Sequence, residues 1–227
     1  MELKKNRAVV VVASGSSRRM GFDKLGAEVA GKPVLWHTVQ IMCQANNIRQ
    51  VVVVTPEERF SWVQDVAREG VELIRVNGGA ERPDSVRAGL SALDPEVELV
   101  AVHDGARPLV GLEAIEVTFT TAAEVGAAVL ARRVTDTLKR EDAGGFSGEA
   151  VSREGLWAME TPQTFRVDWL REAYEQVGSG AKAVTDEVSA LELSGRKTKF
   201  VESTAPNPKV TVPGDLVLLE HLMAEKR

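Results

Sequence analysis

Ala8-Val9-Val10-Val11-Val12-Ala13-Ser14-Gly15-Ser16-Ser17-Arg18-Arg19-Met20-Gly21 begins as an unbroken apolar run and stops at small residues followed by charge. A second run, Val51-Val52-Val53-Val54, also lacks polar alternation. A strand with one wet face alternates with period two, so these runs predict strands covered on both faces, in a mostly parallel sheet with helices on either side. The rhythm continues outward from them. Strands are expected at 9–13, 51–55, 72–76, 98–102 and 127–131, with helices at 35–45, 57–69, 84–93 and 113–125 between them. Further helices are expected at 168–177, 186–193 and 214–225, with a strand around 198–202. The fold class is therefore α/β, a mostly parallel, doubly wound sheet. Ligands of such sheets bind beyond the C-terminal strand ends, where the Ala13 loop, Asn77-Gly78-Gly79 and His103-Asp104-Gly105-Ala106-Arg107 would converge on one rim.

The loop after the first strand has the chemistry of a phosphate site. Small residues let backbone N–H groups approach phosphate oxygens, while Arg18, Arg19 and Lys24 bring three fixed charges. Arginine grips phosphate through a planar fork and lysine acts as a point charge, a mixture suited to a triphosphate. A P-loop would need Ser or Thr after its lysine, and Lys24 is followed by Leu25. A dinucleotide fingerprint would need three spaced glycines, and two arginines occupy the turn after Gly15.

The 227 residues suit a single domain spanning 1–227. A formal net charge of -5 argues against a general nucleic-acid surface, so the basic cluster is local and a small anionic ligand fits it better. Cys43 is the one cysteine, which excludes an internal disulfide framework and any multi-cysteine metal site, and it is expected to pack in a helix with Leu35, Val39 and Met42. A reducing cytoplasm is the expected compartment. The first apolar run is too short to span a membrane, and no membrane partner is expected.

Residues 135–157 break the β-α rhythm. Weak alternation at 135–140, glycines at 144, 145 and 148, and a returning segment at 150–153 predict a protruding β-hairpin arm. An isolated hairpin is marginal in water, so a second copy of the chain is the expected surface for it to pack on.

Single residues are less decisive. Asp104 follows the strand expected at 98–102, where a carboxylate meets a ribose or a metal-bound water as readily as it caps a turn. His37, His103 and His221 share no metal-site spacing and are read as structural. Thr185-Asp186-Glu187 is explained as a helix cap with acids favouring the dipole. Spacing cannot tell whether Lys209 does more than face water.

Taken in order, these segments resemble the 2-C-methyl-D-erythritol 4-phosphate cytidylyltransferase family over nearly the whole chain. The resemblance is carried by residues 15–20 with Lys24, Gly78-Gly79-Ala80-Glu81-Arg82 with Asp84-Ser85-Val86, and His103-Asp104-Gly105-Ala106-Arg107-Pro108. It continues through Asp136-Thr137-Leu138-Lys139, Arg153, Thr161-Pro162-Gln163, Thr185-Asp186-Glu187 and Asn207-Pro208-Lys209-Val210-Thr211. It implies a nucleotide-diphospho-sugar transferase-like fold, a homodimer joined by swapped arms, and CTP with Mg²⁺ as cosubstrate and cofactor. The nucleotide would be held by Ala13, Ser14, Gly15, Ser16 and Ser17, with Gly79, Ala80, Ser85, Asp104, Gly105 and Ala106 around base and ribose. Arg19 and Lys24 would stabilise the transition state. Arg107, Thr137, Arg153, Thr161, Thr185 and Lys209 would hold the acceptor, Arg153 and Lys209 aiming its phosphate. Ser14 stands where the family commonly has alanine, Asp23 where a proline often precedes the lysine, and Ala80 where some members carry an acid. A ribitol 5-phosphate cytidylyltransferase and a non-catalytic CTP-binding protein are the alternatives.

Overall fold

The computed structural model describes residues 6–15, 21–177 and 186–225; Ser16, Ser17, Arg18, Arg19 and Thr185 lie outside them. The chain runs β1 (Arg7–Val12), β2 (Glu28–Val29), β3 (Lys32–Pro33), α1 (Val34–Gln44), β4 (Ile48–Val54), α2 (Glu57–Phe60), β5 (Glu72–Val76), α3 (Arg82–Ser91) and β6 (Leu99–Asp104). It continues through α4 (Leu112–Val125), β7 (Ala127–Arg133), β8 (Leu138–Glu141), β9 (Ser147–Val151), β10 (Trp157–Arg166), α5 (Val167–Val177), α6 (Glu187–Leu193), β11 (Lys199–Glu202) and α7 (Gly214–Glu225).

Seven strands form one sheet in the order β11-β7-β10-β6-β1-β4-β5. β1 pairs in parallel with β4 and β6, as β4 does with β5 and β11 with β7, while β10 runs antiparallel to both β6 and β7. The unbroken valine runs feed both faces. Val9, Val11, Val51 and Val53 pack with Leu35, Val39, Met42, Ile115 and Phe119 from α1 and α4. Val10, Val52 and Val54 point the other way, into a second layer with Val86, Leu90, Leu170 and Leu191 from α3, α5 and α6. Burying each such side chain contributes about 1.5–3 kcal/mol relative to exposure, which explains the absence of polar alternation. Gly89 lets α3 approach closely, since a Cβ there would lie 2.4 Å from Val10 Cγ1. Cys43 is buried in α1, and burial pushes its thiol up to about 12, against a smaller pull from Arg68, so it is inert.

Three expectations need correction. The helix expected over 57–69 ends at Phe60, after which Trp62 N–H bonds Arg59 O, Val63 N–H bonds Phe60 O and Val66 N–H bonds Val63 O. Three-residue turns of this kind hold Trp62, Val63 and Val66 against the core without an α-helix. Helix α3 begins at Arg82 rather than 84, because the Asp84 carboxylate accepts the Glu81 N–H and Pro83 sits in the first turn, where no N–H is needed. The ten-residue strand β10 was not expected at all. Its register shifts between Met159 and Gln163, around Pro162, which has no N–H to give a ladder, so no regular alternation marks it.

The arm is an antiparallel β8–β9 ribbon, separate from the main sheet. Asp142 shapes its tip by accepting the N–H groups of Gly144 and Phe146 at 2.9 Å each, with Gly145 at φ +82°. The Phe146 side chain is 73% exposed. At the base, Arg153 Nη1 donates to Thr135 O and Val134 N–H to Leu156 O.

Candidate active site

Loops after β1, β5 and β6 meet at the C-terminal rim of the sheet, around a cleft of about 640 Å³. Ala13, Ser14, Gly15, Lys24, Gly79, Ala80, Ser85, Asp104, Gly105, Ala106 and Lys209 line it, and Arg82 and Thr211 join them. Every described residue expected to hold the nucleotide thus faces one space. The loops fit closely: a Cβ on Gly78 would lie 2.4 Å from Ser14 Cβ, and one on Gly79 2.2 Å from Asp84 Cβ. Side chains at 78 or 79 would push the β5 loop off the β1 loop and off the start of α3.

Hydrogen bonds bind these loops together. Ser85 Oγ accepts the Gly79 N–H at 3.2 Å and lies 2.9 Å from Ser14 Oγ. The serine at 14, which departs from the resembled family's alanine, is therefore a bridge between two loops. Arg59 spans both ends of the phosphate loop: Nη1 donates to Ala13 O, Nη2 to Gly15 O at 3.1 Å, and Nε to Asp23 Oδ2 at 2.6 Å. Asp23, standing where proline is common in that family, also accepts the Leu25 N–H. Lys24 Nζ donates to Val210 O at 2.7 Å, tying the first loop to the 207–211 segment.

Asp104 is the electrostatic centre. Its carboxylate lies 2.8 Å from Lys209 Nζ, 3.6 Å from Arg107 Nε and 3.7 Å from Arg82 Nη2. Burial pushes its pKa up, but Lys209, Arg82 and Arg107 outweigh burial and hold it well below the usual carboxylate range. Arg82 is itself clamped by the fully buried Glu187 through bonds of 2.6 and 2.9 Å, and Tyr174 Oη donates to the same carboxylate at 2.9 Å. Burial would ease the proton off Arg82; the Glu187 charge holds it on more firmly than usual. Burial and Glu187 together push the Tyr174 phenol up.

A second cleft of about 710 Å³ adjoins the first and shares Lys209 and Thr211 with it. Arg107, Arg132, Met159, Glu160, Asn207 and Leu218 are among its walls. Asn207 holds this junction: its carbonyl accepts from Arg107 at 2.7 Å, and its amide donates to Glu160 Oε2 and Thr161 O at 3.0 Å each. Of the residues expected on the acceptor side, Arg107 and Lys209 line this cleft and Thr161 is buried behind its wall, bonded to Asn207, whereas Thr137 and Arg153 lie on the arm and line neither cleft. The expected cap falls on Asp186, which accepts the Ser189 N–H at 3.0 Å. Arg59 and the Arg82–Glu187 pair were missed as site residues. Glu187 lies 105 residues from Arg82 with no local signal linking them, although Arg82 belongs to a quoted glycine motif.

Among the described residues, no three His, Cys, Asp or Glu side chains gather as a metal cage. With Asp104 occupied by cations, the donor set fits a hydrated Mg²⁺ carried on phosphate oxygens better than one held by protein alone.

A doubly wound sheet with a glycine-lined cleft and clustered cations at its rim defines a nucleotide-handling α/β domain. Residues 7–225 match the family described as "IspD: 2-C-methyl-D-erythritol 4-phosphate cytidylyltransferase", and the chain belongs to that family. It is 40% identical to the enzyme of that name from Pelotomaculum thermopropionicum, over 97% of this chain and 95% of the relative. It is 39% identical to the one from Bacillus velezensis, over 95% and 94%. The crystal structure of 4-diphosphocytidyl-2C-methyl-D-erythritol synthase from Anaerococcus prevotii superposes with a TM-score of 0.84 at 27% identity, covering 97% of this chain and 99% of that one. The 2-C-methyl-D-erythritol 4-phosphate cytidylyltransferase of Thermus thermophilus gives 0.78 at 30% identity, covering 96% and 98%.

Proposed function

We propose that this chain transfers CMP from CTP to 2-C-methyl-D-erythritol 4-phosphate, releasing pyrophosphate and forming 4-diphosphocytidyl-2-C-methyl-D-erythritol, in isoprenoid precursor biosynthesis by the non-mevalonate pathway. The observation that carries this assignment is the shared wall of the two clefts. Lys209 and Thr211 border both, so a nucleotide in the first and a phosphorylated acceptor beyond it would meet at the Asp104–Lys209–Arg107 cluster.

The acceptor phosphate is already an anionic nucleophile, so no general base is needed. One of its oxygens attacks the α-phosphorus of CTP in line, a new P–O bond forms, and the bond to the β-phosphate oxygen breaks with the electron pair leaving on pyrophosphate. The obstacle is repulsion between two polyanions, and the protein's work is positioning and cationic stabilisation. Lys24 and Arg19 would neutralise charge gathering at the α-phosphate, while Arg107 and Lys209 would orient the acceptor. Mg²⁺, held chiefly by the triphosphate and water near Lys24 and Asp104, would supply further charge neutralisation.

We further infer a homodimer joined through the 135–157 arm, with Thr137 and Arg153 completing the partner's acceptor site. Their absence from the walls of both clefts of their own chain and the exposed Phe146 support this arrangement. A cytoplasmic setting is part of the same proposal, in keeping with the lone reduced thiol of Cys43; no helix among the described residues is long and apolar enough to cross a membrane.

Pyrophosphate release with CTP and either methylerythritol phosphate or ribitol 5-phosphate tests the proposal. Turnover is expected with the former. Preference for ribitol 5-phosphate would overturn the acceptor assignment, and CTP binding without pyrophosphate from either would leave a non-catalytic binder.

A further inference from the structure

His103 takes no part in the chemistry above, yet its ring joins residues that do. It precedes Asp104 at the end of β6 and is fully buried. Its Nε2 lies 3.0 Å from the carbonyl oxygen of Arg107, an atom that only accepts, so Nε2 carries the ring proton. Nδ1 is then a bare lone pair, into which the Thr161 hydroxyl donates from 3.0 Å. The Thr161 oxygen in turn accepts the backbone N–H of Asp104 at 3.1 Å. Each proton in this chain has one place: Asp104 N–H to Thr161, Thr161 O–H to His103, His103 N–H to Arg107.

The chain grips both ends of one turn. Residues 104–107 close on themselves through the Arg107 N–H to Asp104 O bond of 3.1 Å, and the histidine and threonine bind that turn at its first N–H and its last carbonyl. The same turn carries the Arg107 guanidinium and the Asp104 carboxylate, which sit with Lys209 where the acceptor phosphate would arrive. We infer that His103 is a positioning residue for the acceptor side: through Thr161 and the Arg107 carbonyl it fixes the 104–107 turn, and with it the aim of Arg107 and Asp104. A second consequence concerns Thr161, whose hydroxyl proton is engaged by His103, leaving its oxygen able to offer an acceptor substrate only a lone pair. Burial lowers the ring's pKa to about 4, and the Arg107 and Lys209 charges add to this against the opposing Asp104 carboxylate and Arg107 carbonyl. The ring therefore stays neutral at ordinary pH, as the bonding chain requires.

The inference rests on the cytidylyl-transfer assignment, and the test separates the two. Asparagine at 103 offers an acceptor near the position of Nδ1 and nothing near Nε2, so His103→Asn keeps the Thr161 bond and releases Arg107. Thr161→Val keeps the volume and removes the hydroxyl; Thr161→Ser keeps the hydroxyl. In full-chain protein assayed by pyrophosphate release, His103→Asn and Thr161→Val are each expected to raise KM for methylerythritol phosphate about tenfold, the scale of one lost hydrogen bond, with a smaller rise in KM for CTP, whose cleft the same turn borders through Asp104, Gly105 and Ala106. Thr161→Ser should stay near wild type. The double variant should be no worse than the worse single one, since both changes cut the same chain.

Nitrogen NMR of the ring in the wild type should show the Nε2–H tautomer. Equal rises in both KM values, additive losses in the double variant, unaltered kinetics or an Nδ1–H tautomer would each overturn the inference. Should His103→Asn fail to fold, the Thr161 pair and the tautomer decide. A wild type without turnover would instead sink the reaction assignment; calorimetric binding of methylerythritol phosphate to wild type and Thr161→Val would then judge the positioning role.

Discussion

The loops after β1, β5 and β6 are tied to one another across long stretches of chain, whereas the β8–β9 ribbon draws its bonds from its own strands and tip. Ser14 meets Ser85 across 71 residues, and Lys24 meets Val210 across 186. In the arm, Asp142 reaches no further than Gly144, Gly145 and Phe146, and the strands carry exposed side chains. One region is therefore held in shape by the rest of its own domain, and the other has local order with an unburied aromatic ring. The walls of both clefts are built within a single chain, and Thr137 and Arg153 belong to neither.

The sharpest way to break this comparison is at Lys24. Its charge lies in the interlocked loops, so Lys24→Ala should reduce kcat on the order of a hundred- to a thousandfold, as loss of one transition-state electrostatic contact does, with a smaller change in CTP affinity. Steady-state kinetics with near-normal kcat would remove Lys24 from the transition state. The arm is tested by mixing. Heterodimers of Lys24→Ala with Arg153→Ala should gather both defects in one site and leave the other intact, so random exchange should restore about a quarter of wild-type activity if arms serve the partner. Mass spectrometry confirms exchange; heterodimers as inactive as both parents would place Arg153 in its own subunit's site.

Two smaller effects belong to the interlocked loops of the cleft rather than to the arm. Because the folded state holds His103 near 4 against an ordinary 6.5, the unfolded chain takes up a proton first as pH falls. The stability tied to the neutral ring is complete above pH 6.5 and is lost as pH drops from there towards 4, by about 3 kcal/mol in all. Asp104 adds its own loss only below its ordinary 3.8. Urea unfolding midpoints across this range should fall in the wild type, and the step between 6.5 and 4 should flatten in His103→Asn. Last, Ser14→Ala should cost about 1 kcal/mol through its bond to Ser85 and raise KM for CTP only a few-fold, since the backbone of the loop is unchanged. A loss of turnover as large as that of Lys24→Ala would mean the serine hydroxyl itself handles the nucleotide.

What could be seen in the sequence followed from how local its cause was. Valine runs buried on both faces announced the parallel strands, and small residues beside Arg and Lys announced the rim loops, because composition alone carries both messages. Strand β10 stayed hidden because Glu160, Thr161 and Pro162 interrupt it with polar and N–H-free positions whose burial is settled only by neighbours such as His103 and Asn207. Glu187 looked like a dipole-favouring acid at a helix start; its role as the buried counter-ion of Arg82 depends on two elements meeting in space. Arg59 fell inside a segment expected to be helical, where an arginine facing water is the ordinary case.

The place of β10 in the sheet also sets the order in which this protein can be completed during synthesis. Residues 7–104 contain β1, β4, β5 and β6, already neighbours through short crossovers, so that half can close while the rest of the chain is still being made. β7 and the arm come next, but β7 joins β6 only by way of β10, whose residues 157–166 emerge after both. At about 5–20 residues per second, the free edge of β6 must wait for seconds beside an unpaired β7 before the late strand slots between them. That interval leaves an open strand edge to solvent, the state in which a nascent chain is most exposed to pairing with a neighbour.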